Sequence, residues 1–204
     1  MKTLMYLMLV AAVILTAAEP KKTEGYEVGD YARDFNLKGV DGKMVSLADY
    51  QEAGGFVVIF TCNTCPYAKM YEERIKALHQ DYADQGFPVV AINPNCAERS
   101  PGDSMLKMKE RADEKDFNFA YLQDETQEIA QTYGATNTPQ VYLLKKTPDS
   151  RYQVAYKGAI DNNYKDPDKV DKYYVRNAID ALLANEDILE KNTKAIGCTI
   201  KWKM

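Results

Sequence analysis

Histidine and cysteine are scarce in this 204-residue chain, which has one histidine and four cysteines. A structural zinc site needs four Cys or His ligands, usually as two closely spaced pairs. Cys62 and Cys65 form one close pair, but the other candidates, Cys96, Cys198 and His79, do not form a second. The sequence therefore predicts neither a metal site nor a cofactor. A zinc half-site and an inert structural disulfide are the weaker alternatives for the pair.

The chain also lacks an excess of basic residues. Its 26 Lys and Arg stand against 30 Asp and Glu, which gives a net charge of −4, and the basic residues form no cluster. Both features argue against nucleic acid as a main partner. A hydrophobic content of 46% and a charged content of 27% are ordinary for a globular protein, and the length suits one domain.

Residues 1–18 differ from the rest of the chain. Lys2 gives a short positive region, residues 4–15 an apolar core and residues 16–18 a small-residue cleavage site. The apolar run is shorter than the roughly 20 residues that span a membrane. We therefore expect a cleaved signal peptide over residues 1–18 and a single domain over residues 19–204, exported to the periplasm or secreted and not integral to a membrane. An uncleaved anchor is the alternative.

The most informative stretch is residues 55–67, with the sequence Gly-Phe-Val-Val-Ile-Phe-Thr-Cys-Asn-Thr-Cys-Pro-Tyr. Its apolar run predicts a strand buried on both faces, and Pro66 predicts the first turn of a helix that continues to Tyr82. Cys62 then lies at or just before a helix N-terminus, where unpaired N–H groups stabilise a thiolate. Because cysteines three positions apart can close a disulfide, we predict redox chemistry at this turn.

The remaining chain alternates predicted strands with predicted helices. Two alternating segments predict a β-hairpin over residues 28–47, with its turn at Asp41-Gly42. Pro139 must lie at the first position of its strand, since proline cannot donate to a β-ladder. Further strands are expected at 87–92, 119–122, 141–144 and 153–157, and further helices at 101–116, 125–133 and 166–185. This order predicts a sheet with parallel pairs, covered on both faces.

Taken together, these segments resemble the AhpC/TSA (redoxin) family, in a peroxiredoxin-like branch. The resemblance covers residues 28–202 and is carried by the hairpin, the Phe-Thr-Cys-Asn-Thr-Cys-Pro motif at 60–66, Ala-Ile-Asn-Pro-Asn at 91–95 and the ending Gly-Cys-Thr-Ile-Lys-Trp at 197–202. It implies an α/β, thioredoxin-like fold: a central mixed sheet flanked by helices, with an N-terminal β-hairpin extension.

The resemblance also implies roles for individual residues. Cys62 would be the attacking thiol and Cys65 the resolving one. Pro139 would be a cis-proline facing them, and the backbone of Thr138 would offer substrate a docking edge. Cys198, in the family-like ending, would be an additional redox cysteine.

The two residues between the cysteines, Asn63 and Thr64, are expected to tune the thiolate by hydrogen bonding and to contact substrate. The strand before them, residues 57–60, has no acidic residue, so the buried carboxylate that thioredoxins use for proton transfer is not expected.

Peroxidases of the family differ from this chain at two points. They have a threonine three residues before the reactive cysteine, whereas Thr61 lies one residue before Cys62 and four before Cys65. Those peroxidases also have an arginine that stabilises the transition state of the peroxide. Its candidates here are Arg151 and Arg176, assigned by position alone.

Three functions are therefore weighed. A thiol–disulfide oxidoreductase would use Cys62 and Cys65 in turn, in either order, with a redox partner protein as thiol donor or disulfide substrate. A thiol peroxidase would oxidise Cys62 to a sulfenic acid that Cys65 or Cys198 resolves. A copper-handling chaperone is the weakest alternative, because His79 lies 14 residues beyond Cys65 in the same predicted helix. Nothing in the sequence indicates an oligomeric state.

Overall fold

A computed structural model describes residues 25–204 of the chain. The predicted signal peptide, residues 1–18, lies outside the described residues. Within them, no helix has both the length and the apolar character that crossing a membrane requires.

Strands and helices follow one another along the described chain in an order close to the predicted one. The strands are β1 Tyr31–Ala32, β2 Leu37–Gly39, β3 Met44–Val45, β4 Gly55–Phe60, β5 Val89–Asn93, β6 Ala120–Gln123, β7 Asn137–Thr138, β8 Gln140–Lys146, β9 Tyr152–Gly158 and β10 Cys198–Thr199. The α-helices are α1 Pro66–Tyr82, α2 Met105–Glu114, α3 Glu128–Tyr133 and α4 Tyr174–Leu183, and short 3-10 turns cover Leu47–Asp49, Pro101–Asp103 and Pro167–Lys169.

Eight of the strands form one mixed sheet in the order β1-β9-β8-β4-β5-β6-β2-β3. The central strand β4 is parallel to β5 and antiparallel to β8. β2 and β3 form a hairpin whose turn contains Gly42, with φ of 84°, and β2 joins the sheet beside β6. The mixed sheet, its flanking helices and the N-terminal hairpin are thereby confirmed.

Side chains of β4 alternate between two hydrophobic cores, one on each face of the sheet. Val57 and Ile59 face a core built with α1, α2 and α4, through side chains such as Ile75, Met108 and Val175. The alternate residues of β4 face a second core built with α3 and the N-terminal hairpin region, together with Phe35, Leu47, Ile129 and Tyr133. Burial on both faces explains why β4 is continuously apolar rather than alternating.

Three predicted elements differ from the observed ones. β1 is not part of the hairpin, because Tyr31 pairs with Gln153 of β9 at the sheet edge. The helix predicted at 101–116 is interrupted at Ser104, whose ψ of 155° is extended, and α2 begins only after it. The last predicted helix is interrupted in the same way at Val170, with ψ of 123°, so that α4 starts at Tyr174. These breaks depend on single backbone angles, which apolar periodicity does not report.

Truncation of a β4 side chain far from the cysteines tests this core. Phe56 is fully buried and contacts the rings of Tyr50 and Tyr152 edge-on. We expect Phe56→Ala to lower the free energy of unfolding by about 3–5 kcal/mol, because lost apolar burial adds to the cost of a cavity. Urea denaturation measures it, with Leu189→Ala as the control, since Leu189 is 97% exposed. Equal effects of the two substitutions would contradict the assigned core.

Candidate active site

The two cysteines of the motif lie on the turn that connects β4 to α1. Thr61 continues the pairing of β4, since its N–H donates to the carbonyl of Ile92 at 2.9 Å. Cys65 is the N-cap residue of α1 and Pro66 is its first residue. The helix begins where the sequence predicts, but the residue at its N-terminus is Cys65, while Cys62 lies three residues earlier.

The segment before β8 faces both cysteines. The Thr138–Pro139 peptide bond is cis, as predicted. Cys62 Sγ is hydrogen-bonded to Thr138 Oγ1 at 3.2 Å, and the Cys65 thiol donates to the Thr138 carbonyl oxygen at 3.2 Å. One residue therefore contacts both thiols. Cys62 is 4% exposed and Cys65 3% exposed, so the pair is buried.

A third cysteine reaches the same place from the end of the chain. β10 pairs antiparallel with β7, which sets Cys198 opposite Thr138. Cys198 packs against the small cluster that Cys62, Cys65 and Ala68 form. It is partly exposed, and all four cysteines are thiols in the structure. The backbone edge at Thr138 that the resemblance assigns to substrate is thus paired with β10 here, and its docking role remains a prediction.

The surroundings of the two motif thiols shift their pKa values in opposite directions. Its hydrogen bond to Cys65, burial and the charge of Asp103 raise the pKa of Cys62 above the usual range of a thiol. The adjacent Cys62 thiol, with a smaller effect of Cys198, lowers the pKa of Cys65 despite its burial. Cys65 lies at the N-terminus of α1, which favours a thiolate, whereas Cys62 lies near the carboxylate of Asp103, which disfavours one. The two shifts have opposite directions, and the attacking role of Cys62 and the resolving role of Cys65 that the resemblance implies stay predictions.

A buried carboxylate is hydrogen-bonded to the two residues between the cysteines. Asp103, at 0% exposure, accepts the Asn63 N–H at 2.7 Å and the Thr64 hydroxyl at 2.7 Å. Its other donors are side chains of the β5–α2 connection and of β5 itself: Ser100 Oγ at 2.6 Å, Asn95 Nδ2 at 2.9 Å and Asn93 Nδ2 at 3.2 Å. Burial opposes ionisation, but hydrogen bonds, led by those from Ser100 and Asn95, lower the pKa of Asp103.

Asn63 and Thr64 have their polar atoms engaged within the turn. The Asn63 amide donates to the Gly102 carbonyl at 2.9 Å and accepts the Tyr121 hydroxyl at 2.9 Å. Thr64 Oγ1 is occupied by Asp103, so neither side chain is hydrogen-bonded to a sulfur atom. What they supply is the shape of the turn, and contact with substrate stays a prediction for both.

Sequence reasoning missed Asp103 and Tyr121 as residues of this site. β4 has no acidic residue, as predicted, and the buried carboxylate of this site, Asp103, comes from a different segment and binds the turn rather than a sulfur atom. The two asparagines of Asn93-Pro94-Asn95 were a usable signal, since paired amides beside a cysteine motif can bind a carboxylate.

Three other residues considered from the sequence lie away from the thiols. Arg176 forms an ion pair with Asp81, near the far end of α1. Arg151 forms an ion pair with Asp149 in the turn between β8 and β9. This turn is at one end of β8, whereas the site is at the other end, where Gln140 pairs with Phe60 of β4. Both assignments as the peroxidase arginine are therefore wrong. His79 Nδ1 accepts the Val89 N–H at 3.1 Å, and burial lowers its pKa.

A cavity of about 190 Å³ adjoins the cis-proline. Its wall includes Pro139, Ile160 and Ile196, and the aromatic rings of Tyr71, Tyr164 and Tyr174. At its floor Asp161 is held by Arg74 at 2.7 Å and by the Tyr71 hydroxyl at 2.9 Å. The space beside Pro139 is therefore lined mainly by aromatic and apolar side chains, together with polar ones such as Asp161, Asn162 and Lys194.

The chain is similar to known proteins both in structure and in sequence. The chain is 38% identical to an uncharacterised conserved protein from Geobacillus kaustophilus, over 87% of this chain and 93% of that one, with a TM-score of 0.78. It is 27% identical to the thiol-disulfide oxidoreductase ResA of Geobacillus thermodenitrificans, over 72% of this chain and 80% of that protein. It is 32% identical to the thioredoxin-like protein YneN of Bacillus subtilis, over 61% and 69%.

Fold and thiols together define a thioredoxin-like oxidoreductase. The model of the AhpC/TSA family matches residues 28–158, which is more than half of the chain. This protein belongs to the AhpC/TSA family.

Neutralising the buried carboxylate tests its hold on the turn. We expect Asp103→Asn to reduce the free energy of unfolding at neutral pH by about 1–3 kcal/mol, since five hydrogen bonds to a buried charged acceptor are weakened. Because folding lowers the pKa of Asp103, the stabilisation is present above the ordinary carboxyl pKa and is lost as the pH falls through the lowered one.

Denaturant unfolding at about pH 7 and about pH 3 measures both effects, and the difference between the wild-type protein and the variant should shrink in acid. Asp113→Asn is the matched control, because Asp113 is 67% exposed and pairs only with Lys109 at the surface. A difference that grows in acid would show that Asp103 is protonated in the folded protein.

The order of thiol ionisation is open to direct measurement. When the reduced protein is alkylated with iodoacetamide from about pH 5 to about pH 9, we expect Cys65 to react with a midpoint below the ordinary thiol value of about 8.5. Cys62 should react only at higher pH or after Cys65. Peptide mass mapping identifies the modified residue. Modification of Cys62 first would reverse the assignment.

Proposed function

We propose that this protein is an exported thiol–disulfide oxidoreductase whose redox couple is Cys62 and Cys65. The observation that carries the proposal is the pair of buried cysteines at the start of α1, packed against a cis-proline segment whose Thr138 contacts both sulfurs. ResA, with which the chain shares most of its length, is a thiol-disulfide oxidoreductase and supports the same class.

The geometry gives each group a step. The Cys65 thiolate attacks one sulfur of a substrate disulfide, forms a mixed disulfide with it and releases the other sulfur as a thiolate. Cys62 gives up its proton, which the released thiolate takes up, and attacks Cys65 Sγ. The Cys62–Cys65 disulfide forms and the second substrate sulfur leaves. Run backwards, the same steps oxidise a substrate dithiol, and the partner protein sets the direction.

The remaining residues position these reactants. Thr138 contacts both sulfurs, and Pro139 forms a wall of the cavity beside them. That cavity suits an apolar or aromatic side chain next to a substrate cysteine. Asn63 and Thr64 keep the two cysteines in one turn through Asp103.

Export is supported by the sequence of residues 1–18, with the functional domain comprising residues 19–204. In an oxidising compartment the couple depends on a second protein, which either supplies electrons to it or receives oxidising equivalents from it.

One contact favours a thiol peroxidase as the second candidate. Thr138 Oγ1, 3.2 Å from Cys62 Sγ, places a hydroxyl at a motif thiol although no threonine lies three residues before either cysteine. Against it, neither Arg151 nor Arg176 lies at the site.

Cysteine variants test the proposed function. The reduced wild-type protein should reduce a disulfide-bonded protein such as insulin, followed by turbidity. We expect Cys65→Ser to lower the rate at least about 10³-fold, as removal of a nucleophile does, and Cys62→Ser to lower it less. Cys96→Ser is the matched control, since Cys96 is buried outside the thiol cluster. Undiminished activity of Cys65→Ser would end the proposal.

Hydrogen peroxide separates the two candidate functions. In stopped flow, a reduced protein that exchanges disulfides should react with peroxide at about the rate of a free thiol. An acceleration of several orders of magnitude that disappears with one cysteine would assign the peroxidase instead.

A further inference from the structure

We infer that Cys198 is a second resolving cysteine, which strand β10 presents to Cys65 so that this sulfur can close a disulfide with either Cys62 or Cys198. The inference rests on the proposed function and adds a third thiol to its couple. It is carried by the placement of the C-terminal segment and by the contacts of its thiol.

The C-terminal segment is fixed at several points on either side of Cys198. Thr199 pairs with Asn137, and the Ile200 N–H donates to the Thr136 carbonyl at 3.1 Å. The Lys201 N–H donates to Asn95 Oδ1 at 2.8 Å, so the tail also joins the segment that binds Asp103. The position of Cys198 is therefore set by the same network that shapes the cysteine turn.

Gly197 lets this segment approach the cis-proline closely. A Cβ atom there would lie 2.1 Å from the Thr138 carbonyl oxygen, which is far inside contact distance. The Gly197 carbonyl also accepts the Asn137 amide at 3.2 Å. The tail is thus seated on the backbone edge that the resemblance assigns to substrate.

The position of its side chain distinguishes Cys198 from an ordinary core residue. It packs with Cys62, Cys65 and Ala68 in one small cluster, and β10 sets it opposite Thr138, the residue that contacts both motif thiols. It remains partly exposed, unlike the motif pair. Cys96 offers the contrast: it is buried, lies outside the cluster and donates only its backbone N–H, to the Lys201 carbonyl at 2.9 Å.

The chemical step needs only the substrate disulfide of the proposed function. After the Cys65 thiolate has formed a mixed disulfide and released one substrate thiolate, Cys198 loses its proton to that thiolate and attacks Cys65 Sγ. The Cys65–Cys198 bond forms, the bond to the substrate breaks, and the second sulfur leaves as a thiolate. Two protein thiols are oxidised and one substrate disulfide is reduced.

The order of these events follows from charge. Burial and the adjacent Cys65 raise the pKa of Cys198 to about 11, so Cys198 stays protonated while Cys65 is a thiolate. Formation of the mixed disulfide removes that negative charge, and the part of the shift that Cys65 causes disappears with it. Cys198 therefore becomes a better nucleophile only when there is a bond for it to attack.

Oxidised glutathione is the probe for the test. The reduced Cys62→Ser variant is treated with it, quenched with acid, alkylated and mapped by mass spectrometry. We expect a Cys65–Cys198 disulfide and little retained glutathione adduct. In Cys62→Ser/Cys198→Ser the adduct on Cys65 should accumulate, whereas Cys62→Ser/Cys96→Ser should behave as Cys62→Ser. A stable adduct on Cys65 in the single variant, with Cys198 free, would overturn the inference.

Displacing the tail gives an independent measurement. In the Cys62→Ser background, Gly197→Val should slow formation of the Cys65–Cys198 disulfide at least about tenfold, because its side chain cannot fit against Thr138. Thr199→Val is the matched control, being an exposed neighbour on the same strand. Equal rates for both substitutions would contradict the inference.

The wild-type protein distinguishes the two proposals under the same conditions. If it forms the Cys62–Cys65 disulfide while Cys62→Ser keeps its adduct, only the role of Cys198 fails. If the wild-type protein forms no intramolecular disulfide, the proposed function fails as well.

Discussion

A negative charge that is buried without a cation determines the shape of this site. The donors to Asp103 are one backbone amide, two hydroxyls and two side-chain amides, all of them neutral. Burying an unpaired carboxylate costs several kcal/mol, and only a complete set of hydrogen bonds makes it tolerable. Two of these donors, the Asn63 N–H and the Thr64 hydroxyl, belong to the residues between the cysteines. The carboxylate therefore keeps its full set of hydrogen bonds only if the turn keeps its shape.

The same charge acts on the chemistry because no cation among its donors neutralises it. Together with the larger effects of the Cys65 thiol and of burial, it raises the pKa of Cys62, while the Cys62 thiol lowers the pKa of Cys65. Two thiols of one short motif are thereby made unequal. A pair in which one member is a ready nucleophile and the other holds its proton until needed is the arrangement that sequential disulfide exchange requires.

Local signals in the sequence were enough to predict the centre of the fold. The apolar run of β4, Pro66 at the first position of α1 and the Asp41-Gly42 turn each depend on neighbours along the chain, and each is present. The cis bond before Pro139 was implied by family resemblance and is also present.

What the sequence could not predict depends on contacts between distant residues or on single backbone angles. Asp103 lies 40 positions from Asn63, and it reaches the turn because the chain leaves the helical conformation at Ser104. The N-cap residue of α1 is a related case. Spacing places both cysteines near a helix start, but which of them is the N-cap residue is decided by where the helix begins in three dimensions.

The edges of the sheet have a consequence for association with other chains. Its two outer strands, β1 and β3, contain two residues each, so the eight-stranded sheet exposes very little unpaired backbone at either side. A long free edge would invite an unfolded chain to add itself as a further strand and start aggregation. With edges this short, the sheet offers such a chain almost no template for pairing.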